Sequence, residues 1–464
     1  MQRDRFLLGA FRAVVTSGVN ASRILFAVVL LTLLGLSSHA TYAGSGDEPH
    51  YLAIAHSLAF DVDLDLSNNY GPAEPLIADG GLESGGHILR GVDGVMRPIH
   101  DVGLPLLLVP VVRVIAPAVL WLSPRVPAPL MKRLRLTPAG LYRHLLGALM
   151  ALVGAWLACV LRDALLKAGA SPRAAFLTAL LVALSPPLLI YAILLFTELV
   201  SALLCLLAFR RLALDRDTST AGWLVAGAAA GLLLLVHARN VGIVAGLVLL
   251  AAVRLSREGS RVRIVAFAGP LALMVAVRTA VIHRAWGTFV TTPIASPGSW
   301  RGLGNLAHVT LVRLAGLLVD QEFGLLPYAP VFAIALVGIV ALWRTDRPLA
   351  RSLGIVAGGY LLAVVLPLTN PIGWTGGWCP AARFMTPIVP LLALGLVRGF
   401  AVVPRPLVIG VLALQVALDC YFWQYPKNLW NDNDGQAAIC QRGGLRGCGY
   451  LPSFVTRSGP GSPE

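Results

Sequence analysis

The chain predicts an all-α, polytopic transmembrane helical bundle, and three observations carry that prediction. Of its 464 residues, 57% are hydrophobic and only 13% are charged, about half the charge of an ordinary soluble domain. Apolar runs recur from Ile24 to Phe422, each near the ~20 residues that cross a bilayer. These runs lack strand alternation, and a chain in lipid must satisfy its backbone hydrogen bonds internally, so they are helices. The mean hydropathy of +0.75 agrees. A net charge of +14 would suggest nucleic acid if the chain were soluble. Here the Arg residues cluster in short turns between apolar runs, so membrane lipid and no nucleic acid is the expected surrounding. The sequence contains no GxGxxG, Walker, HExxH or CxxC motif, which leaves no sign of nucleotide binding, metalloprotease chemistry or structural zinc.

Residues 1–23, with Arg3, Arg5, Arg12 and Arg23, read as a cytoplasmic amino terminus. The first apolar run has no small-residue cleavage site ahead of a soluble domain and reads as an anchor. Residues 24–422 form the transmembrane domain, and residues 423–464 a short external tail that ends as loop or disorder. Basic turns hold Arg162, Lys167 and Arg173; Arg210, Arg211 and Arg216; Arg254, Arg257, Arg261 and Arg263; Arg344, Arg347 and Arg351; and Arg398 with Arg405. Assigning all of these to the cytoplasm gives a nearly consistent alternation. The opposite loops carry most of the remaining Asp, Glu, His, Trp and Asn residues.

Two segments resist this scheme. Val102 to Leu122 is apolar but carries Pro105, Pro110, Pro117 and Arg113. It is expected to lie in or dip into the outer interface, within a long first outer loop, residues 44–142. Leu303 to Val319 is expected to be interfacial too. The count is then about 11 spans, 12 or 13 if these segments also cross, with the amino terminus inside and the carboxyl terminus outside. The cost is that Lys132, Arg133 and Arg135 fall outside, against the charge rule. Cys159 and Cys205 lie in apolar runs as small core residues. Cys440 and Cys448 flank QRGGLRG and are expected to form a disulfide if the tail faces an oxidising compartment, with Cys379 and Cys420 a second candidate pair.

The stretch richest in chemistry follows the first helix: GSGDEPHYLAIAHSLAFDVDLDLSNNY, Gly44 to Tyr70. Asp47 and Glu48 stand adjacent where the chain leaves the membrane, with His50 and His56 behind them. Pro49 opens a helix whose apolar residues recur at helical spacing, so an amphipathic helix lying on the bilayer is expected. Asp47 would then sit at a helix amino terminus, either as a cap or as a functional carboxylate. Other outer-loop candidates each have a structural alternative. His100 could cap the helix near Asp101, Arg239 could snorkel to the interface, and Arg383 could anchor beside Trp374 and Trp378. Trp286, Trp300, Trp374 and Trp378 could stack on a sugar or sit in the aromatic belt.

The acidic pair after the first span and the helix behind it resemble the glycosyltransferase C superfamily, nearest to protein O-mannosyltransferases and bacterial lipid A aminoarabinose transferases. RPIHDVGLPLLLVP, SPPLLIYAILLFTEL with Glu198, DQEFGLLPYAPVF and GWTGGWCPAARFMTP resemble outer loops of that family in order and side. The resemblance covers Ile24 to about Phe422 and implies a membrane glycosyltransferase with a polyprenyl-phosphate- or polyprenyl-diphosphate-linked sugar donor, acting with inversion at the outer face of the inner membrane on a protein, lipid or glycan acceptor. It implies Asp47 as general base, with Glu48 and Glu198 as further catalytic carboxylates. Arg97, His100, Arg239 and Arg383 are the candidates for the lipid phosphate, and His50, Trp374 and Trp378 belong to substrate loops. Glu48, His50 and Glu198 could hold Mg²⁺ or Mn²⁺. The rival from another class is a transporter or lipid flippase, which would set its ionisable groups near the bilayer midplane.

Overall fold

The computed structural model describes residues 18–40, 46–71, 76–77, 82–83, 85–127, 129, 131, 137–215, 217–289, 303–366, 373–444 and 450–455. The apolar runs are helices, as expected. In chain order these are α1 (Gly18–His39), α2 (Glu48–His56), α3 (Gly103–Leu122), α4 (Pro138–Lys167), α5 (Pro172–Ala183), α6 (Thr197–Phe209), α7 (Thr220–Val236), α8 (Val241–Glu258), α9 (Arg261–Trp286), α10 (Leu303–Val319), α11 (Val331–Thr345), α12 (Arg347–Val365), α13 (Val389–Val402) and α14 (Arg405–Gln424). Among the described residues, eight helices are long and apolar enough to cross a membrane, and four more apolar helices are shorter. Two small antiparallel pairs, which the all-α expectation did not include, join β1 (Ile88–Arg90) to β2 (Met96–Pro98) and β3 (Cys379–Pro380) to β4 (Trp430–Asn431).

Helix starts follow the local sequence. Thr137, Ser171 and Ser219 each accept a backbone N–H from three residues ahead, and Pro occupies the first turn of α4 and α5, where its missing N–H costs nothing. Between helices the contacts rest on small residues, because lipid supplies no hydrophobic drive between helices and close approach must supply dispersion instead. A Cβ on Gly338 would lie 1.9 Å from the Gly395 carbonyl oxygen across the α11–α13 contact. The α8–α12 contact is built the same way at Gly242 and Gly359.

The bundle has two chemically distinct ends. At one, the basic turns meet one another: Lys167 and Arg211 pair with Asp215, Arg210 pairs with Asp163, and Arg254 donates 2.9 Å to the Arg211 carbonyl and bonds Glu258. At the other, the starts of α2, α6 and α8 meet the segment that opens α13 and bring Asp47, Glu198, Arg239 and Arg383 together. This second end is the site end below.

Helix α3 starts at the site end of the bundle. Its first residue abuts the last turn of α7, where a Cβ on Gly103 would meet Leu235 at 2.4 Å. Halfway along, Arg113 donates from Nε to the Ala59 carbonyl at 2.7 Å, one turn beyond His56. His56 in turn bonds the Tyr142 hydroxyl near the start of α4 at 2.9 Å. The first half of α3 therefore runs beside α2 at the site end, although Gly103–Arg125 is also long and apolar enough to cross. Lys132, Arg133 and Arg135 lie outside the described residues.

Two expectations are corrected. Helix α2 is no half-exposed surface helix, since all nine of its residues are buried. The turn that follows and α3 pack against it, so it lies inside the protein rather than along the bilayer surface. The described part of the tail, residues 425–444 and 450–455, is loop and short turns packed against the bundle. Ala381 donates to the Leu429 carbonyl at 2.9 Å, Gln321 to the Pro452 carbonyl at 2.9 Å, and Phe454 to Asp320 at 2.7 Å. Cys440 is disulfide-bonded, whereas Cys379 and Cys420 are free thiols, so the second pairing does not form. Cys379 is fully buried between α6 and the tail while Cys420 is exposed on α14.

Glu322 fastens the tail. It is fully buried and accepts the backbone N–H groups of Asp434 at 3.3 Å and Gly435 at 2.7 Å. Asn431 donates to the Glu322 carbonyl. Burial pushes its carboxyl up to about 7, with Asp434 and Asp320 adding negative charge nearby. A carboxyl raised above its ordinary value stabilises the fold below that ordinary value, and the contribution is lost as pH rises through 7. The tail should therefore loosen as pH rises from about 4.5 to about 7. The protection of the Asp434 and Gly435 amides from hydrogen exchange, relative to the intrinsic base-catalysed rate, should fall over this range, and Glu322→Gln should remove that fall. Protection that stays flat with pH in the unaltered chain would sink the assignment.

Candidate active site

Asp47 stands at the amino-terminal end of α2 but makes no capping bond. Its carboxylate turns instead to Arg383, whose terminal nitrogen lies 2.5 Å away, 336 residues along the chain. Arg383 is buried, and its guanidinium uses three edges at once. A terminal nitrogen holds Asp47, Nε holds Glu198 at 2.7 Å, and the other terminal nitrogen donates to the Gly376 carbonyl at 3.0 Å. Arg239 stacks over Phe384 at 3.6 Å and stands 3.7 Å from the same Glu198 oxygen. Two carboxylates and two guanidiniums thus form a charge-balanced set at the site end, with the Phe196 ring 4.8 Å from Arg383. Burial by itself would raise the Asp47 carboxyl, but the Arg383 guanidinium outweighs it and holds the group far below the usual carboxylate range.

Local backbone explains how Arg383 is aimed. Gly376 and Gly377 both have positive φ, which glycine adopts without a Cβ clash. A Cβ on Gly376 would also press on the Arg383 side chain at 2.9 Å. Ala382, immediately before Arg383, is left-handed at φ 55°, a conformation that costs a non-glycine residue on the order of 1–2 kcal/mol. The two glycines between two tryptophans do shape a loop. The tryptophans part company: Trp374 is buried against Phe323 and α10, while Trp378 is exposed and donates to Asp432 of the tail at 2.5 Å. Trp374 is a core residue here; Trp378 lies at the surface against Trp430.

The adjacent Glu48 points elsewhere. Its Oε1 accepts the Leu195 backbone N–H at 2.8 Å and faces a small cleft with Ser37, Arg143 and His144. It braces the buried irregular segment between α5 and α6, so it does not share a site with Asp47. The proposed metal set of Glu48, His50 and Glu198 accordingly does not converge.

His50 joins a stack that the sequence reading did not contain. Its ring lies 3.6 Å from His87 and 5.8 Å from Tyr70, and its Nδ1 bonds the Tyr70 hydroxyl at 2.8 Å. His87 Nδ1 and His100 Nε2 are 2.8 Å apart. His100 is thus no helix cap; α3 begins at Gly103 with Val102 at the capping position. Burial keeps these imidazoles neutral, with His100 pushed down to about 4 and His50 to about 3.

Beside His100 opens a cavity of about 460 Å³. Its lining mixes apolar residues, among them Val102, Leu235 and Ile282, with the cations Arg97, Arg278 and Arg284 and the carboxylates Asp63, Asp65 and Asp101. Arg97 pairs with Asp93 across the β1–β2 turn. Arg278, in α9, lies 3.2 Å from Asp101, which also accepts the Ala238 N–H at 2.7 Å. Sequence reasoning missed Arg278, Arg284 and His87. An arginine inside an apolar run was a usable signal for the first, whereas His87 sits in a glycine-rich loop with no periodic context.

The chain matches no family model, no curated protein and no solved structure.

Proposed function

We propose that this chain transfers a sugar from a polyprenyl-phosphate-linked donor to an acceptor hydroxyl at the site end, with inversion at the anomeric carbon. One observation carries the reading: a buried carboxylate–guanidinium set centred on Arg383 adjoins, through His100, a cavity whose lining combines apolar side chains with Arg97, Arg278 and Arg284. A lipid phosphate has that duality, an anion on an apolar chain. The acceptor oxygen attacks the anomeric carbon, its proton passes to Asp47, and the electron pair of the breaking carbon–oxygen bond leaves on the lipid phosphate. Arginine neutralises that anion. In the resting site Arg383 holds Asp47 ionised but weakly basic; a donor phosphate that draws Arg383 away would raise the basicity of the carboxylate when the acceptor needs it. The acceptor is a protein, lipid or glycan hydroxyl.

The basic turns gathered at the opposite end support a cytoplasmic placement for that end, and hence an external site with an external carboxyl terminus, in a multi-pass inner-membrane protein. In a cysteine-free background, a thiol at Ser67 should react with an impermeant maleimide in intact cells and one at Ser256 should not. The reverse pattern would move the site to the cytoplasm.

The test of the activity is transfer in proteoliposomes supplied with polyprenyl-phosphate sugars. Asp47→Asn should lower turnover by roughly 10²-fold, with a thermal melt to establish folding. A well-folded Asp47→Asn variant with normal turnover defeats the base assignment. Solute or lipid flux without transfer would hand the chain to the transporter reading.

A further inference from the structure

We propose that Asp47, His87 and His100 hold a divalent transition-metal ion of the zinc class, a site that goes beyond the sugar-transfer reading and does not depend on it. One ligand atom from each of these residues lies within 4.8 Å of the other two. Among the described residues no other group of three or more His, Cys, Asp or Glu side chains is so disposed. The ligand types select the ion. Two imidazoles and one carboxylate suit zinc and its first-row neighbours, whereas Mg²⁺ and Mn²⁺ favour oxygen.

The geometry is close to what an ion requires. Bonds of about 2.0–2.1 Å in a tetrahedral site put neighbouring nitrogens about 3.3 Å apart. His87 Nδ1 and His100 Nε2 already face each other at 2.8 Å, so small ring movements suffice. Asp47 engages Arg383 through one carboxylate oxygen, which leaves the other for an ion. The rings are held in place from outside: His50 stacks on His87 at 3.6 Å with the planes 10° apart, and is itself fixed by Tyr70. Such bracing partners orient ligating histidines and tune affinity. Three protein ligands leave at least one coordination position open, the arrangement of a reactive rather than a structural site. His100 lines the 460 Å³ cavity, which offers a path to that position for water, an acceptor hydroxyl or a phosphate oxygen.

The test uses the full chain in detergent or nanodiscs, stripped with chelator and reloaded with Zn²⁺ or Co²⁺ alone. Elemental analysis after dialysis should find about one zinc per chain, and cobalt should give ligand-field bands together with pulsed-EPR couplings from two imidazoles. His87→Gln and His100→Gln should each weaken zinc binding at least tenfold, while His144→Gln, at the same end of the bundle but bonded to the Gly140 carbonyl, should retain it. Mg²⁺ should bind the unaltered chain no better than the two histidine variants. Sub-stoichiometric zinc in the unaltered chain, or zinc retained by both variants, overturns the site. If a variant misfolds by thermal melt, the cobalt spectrum of the unaltered chain decides alone, and a signal without imidazole couplings overturns the proposal. Loss of the metal site leaves the sugar-transfer reading standing, since the transfer assay without added metal tests that separately.

Discussion

Arg383→Lys should fold and yet lose transfer by on the order of 10²- to 10³-fold. The charge is kept, so Asp47 and Glu198 still see a cation. What disappears is the planar fork that reaches Asp47, Glu198 and the Gly376 carbonyl together, because an ammonium is a point charge on a flexible stem. Under the proposed mechanism the same guanidinium moves part of its hydrogen bonding from Asp47 to the departing phosphate. Lysine can serve one partner or the other. The defect should therefore show in both donor affinity and turnover, measured in proteoliposomes with a photoactivatable donor analogue to read binding directly. Arg383→Gln should be worse and less informative, since it leaves two buried carboxylates facing Arg239 alone. An Arg383→Lys variant with near-normal turnover would remove Arg383 from the reaction and leave it as a structural tie.

Glu198→Gln should produce a large loss of stability at the site. Glu198 is 1% exposed, and the same oxygen lies 2.7 Å from Arg383 Nε and 3.7 Å from Arg239. Neutralising it leaves two guanidiniums against one carboxylate in a buried place. Breaking a buried pair by removing one partner costs about 3–5 kcal/mol, mostly through the charge left behind. The amide can keep one hydrogen bond to Arg383 through its oxygen and turn its nitrogen toward Thr197, whose hydroxyl lies 3.2 Å from the carboxylate, so the lower end of that range is expected. The double change Glu198→Gln with Arg239→Gln restores charge balance. It should recover most of the stability in a detergent-melt or urea-unfolding comparison without recovering transfer. If the double variant is less stable than the unaltered chain by the sum of the two single losses, the two residues are not coupled and the four-group set is not an electrostatic unit.

How far the sequence reached can be judged residue by residue. Asp47, Glu198, Arg239 and Arg383 were each identifiable, because each is a charged residue at the end of an apolar run, where burial makes charge expensive and therefore meaningful. Glu48 was misjudged for a simple geometric reason. Consecutive residues on a helix point about 100° apart, so an adjacent carboxylate belongs to a different surface, here that of Leu195. The histidine stack could not be read at all, since His50, His87 and His100 come from a helix, a glycine-rich loop and a helix approach that share no spacing. Tail packing was equally hidden: its polar, glycine-rich composition matches disorder, but buried partners such as Glu322 and Asp320 satisfy its backbone.

What the sequence determined by itself is the all-helical membrane class and the two-ended distribution of charge. Both follow from local terms: the bilayer's thickness sets run length, its interior forbids unsatisfied backbone, and basic residues gather on one side of alternating spans. Only the tertiary structure decided which charges meet. Asp47 and Arg383 are separated by 336 residues, and their pairing depends on where close-packed helices bring chain ends together, a property of Gly338 against Gly395 and Gly242 against Gly359 rather than of any periodicity along the chain. The site is chemically local and topologically remote, because a Coulomb interaction in a buried setting is set by distance in space alone.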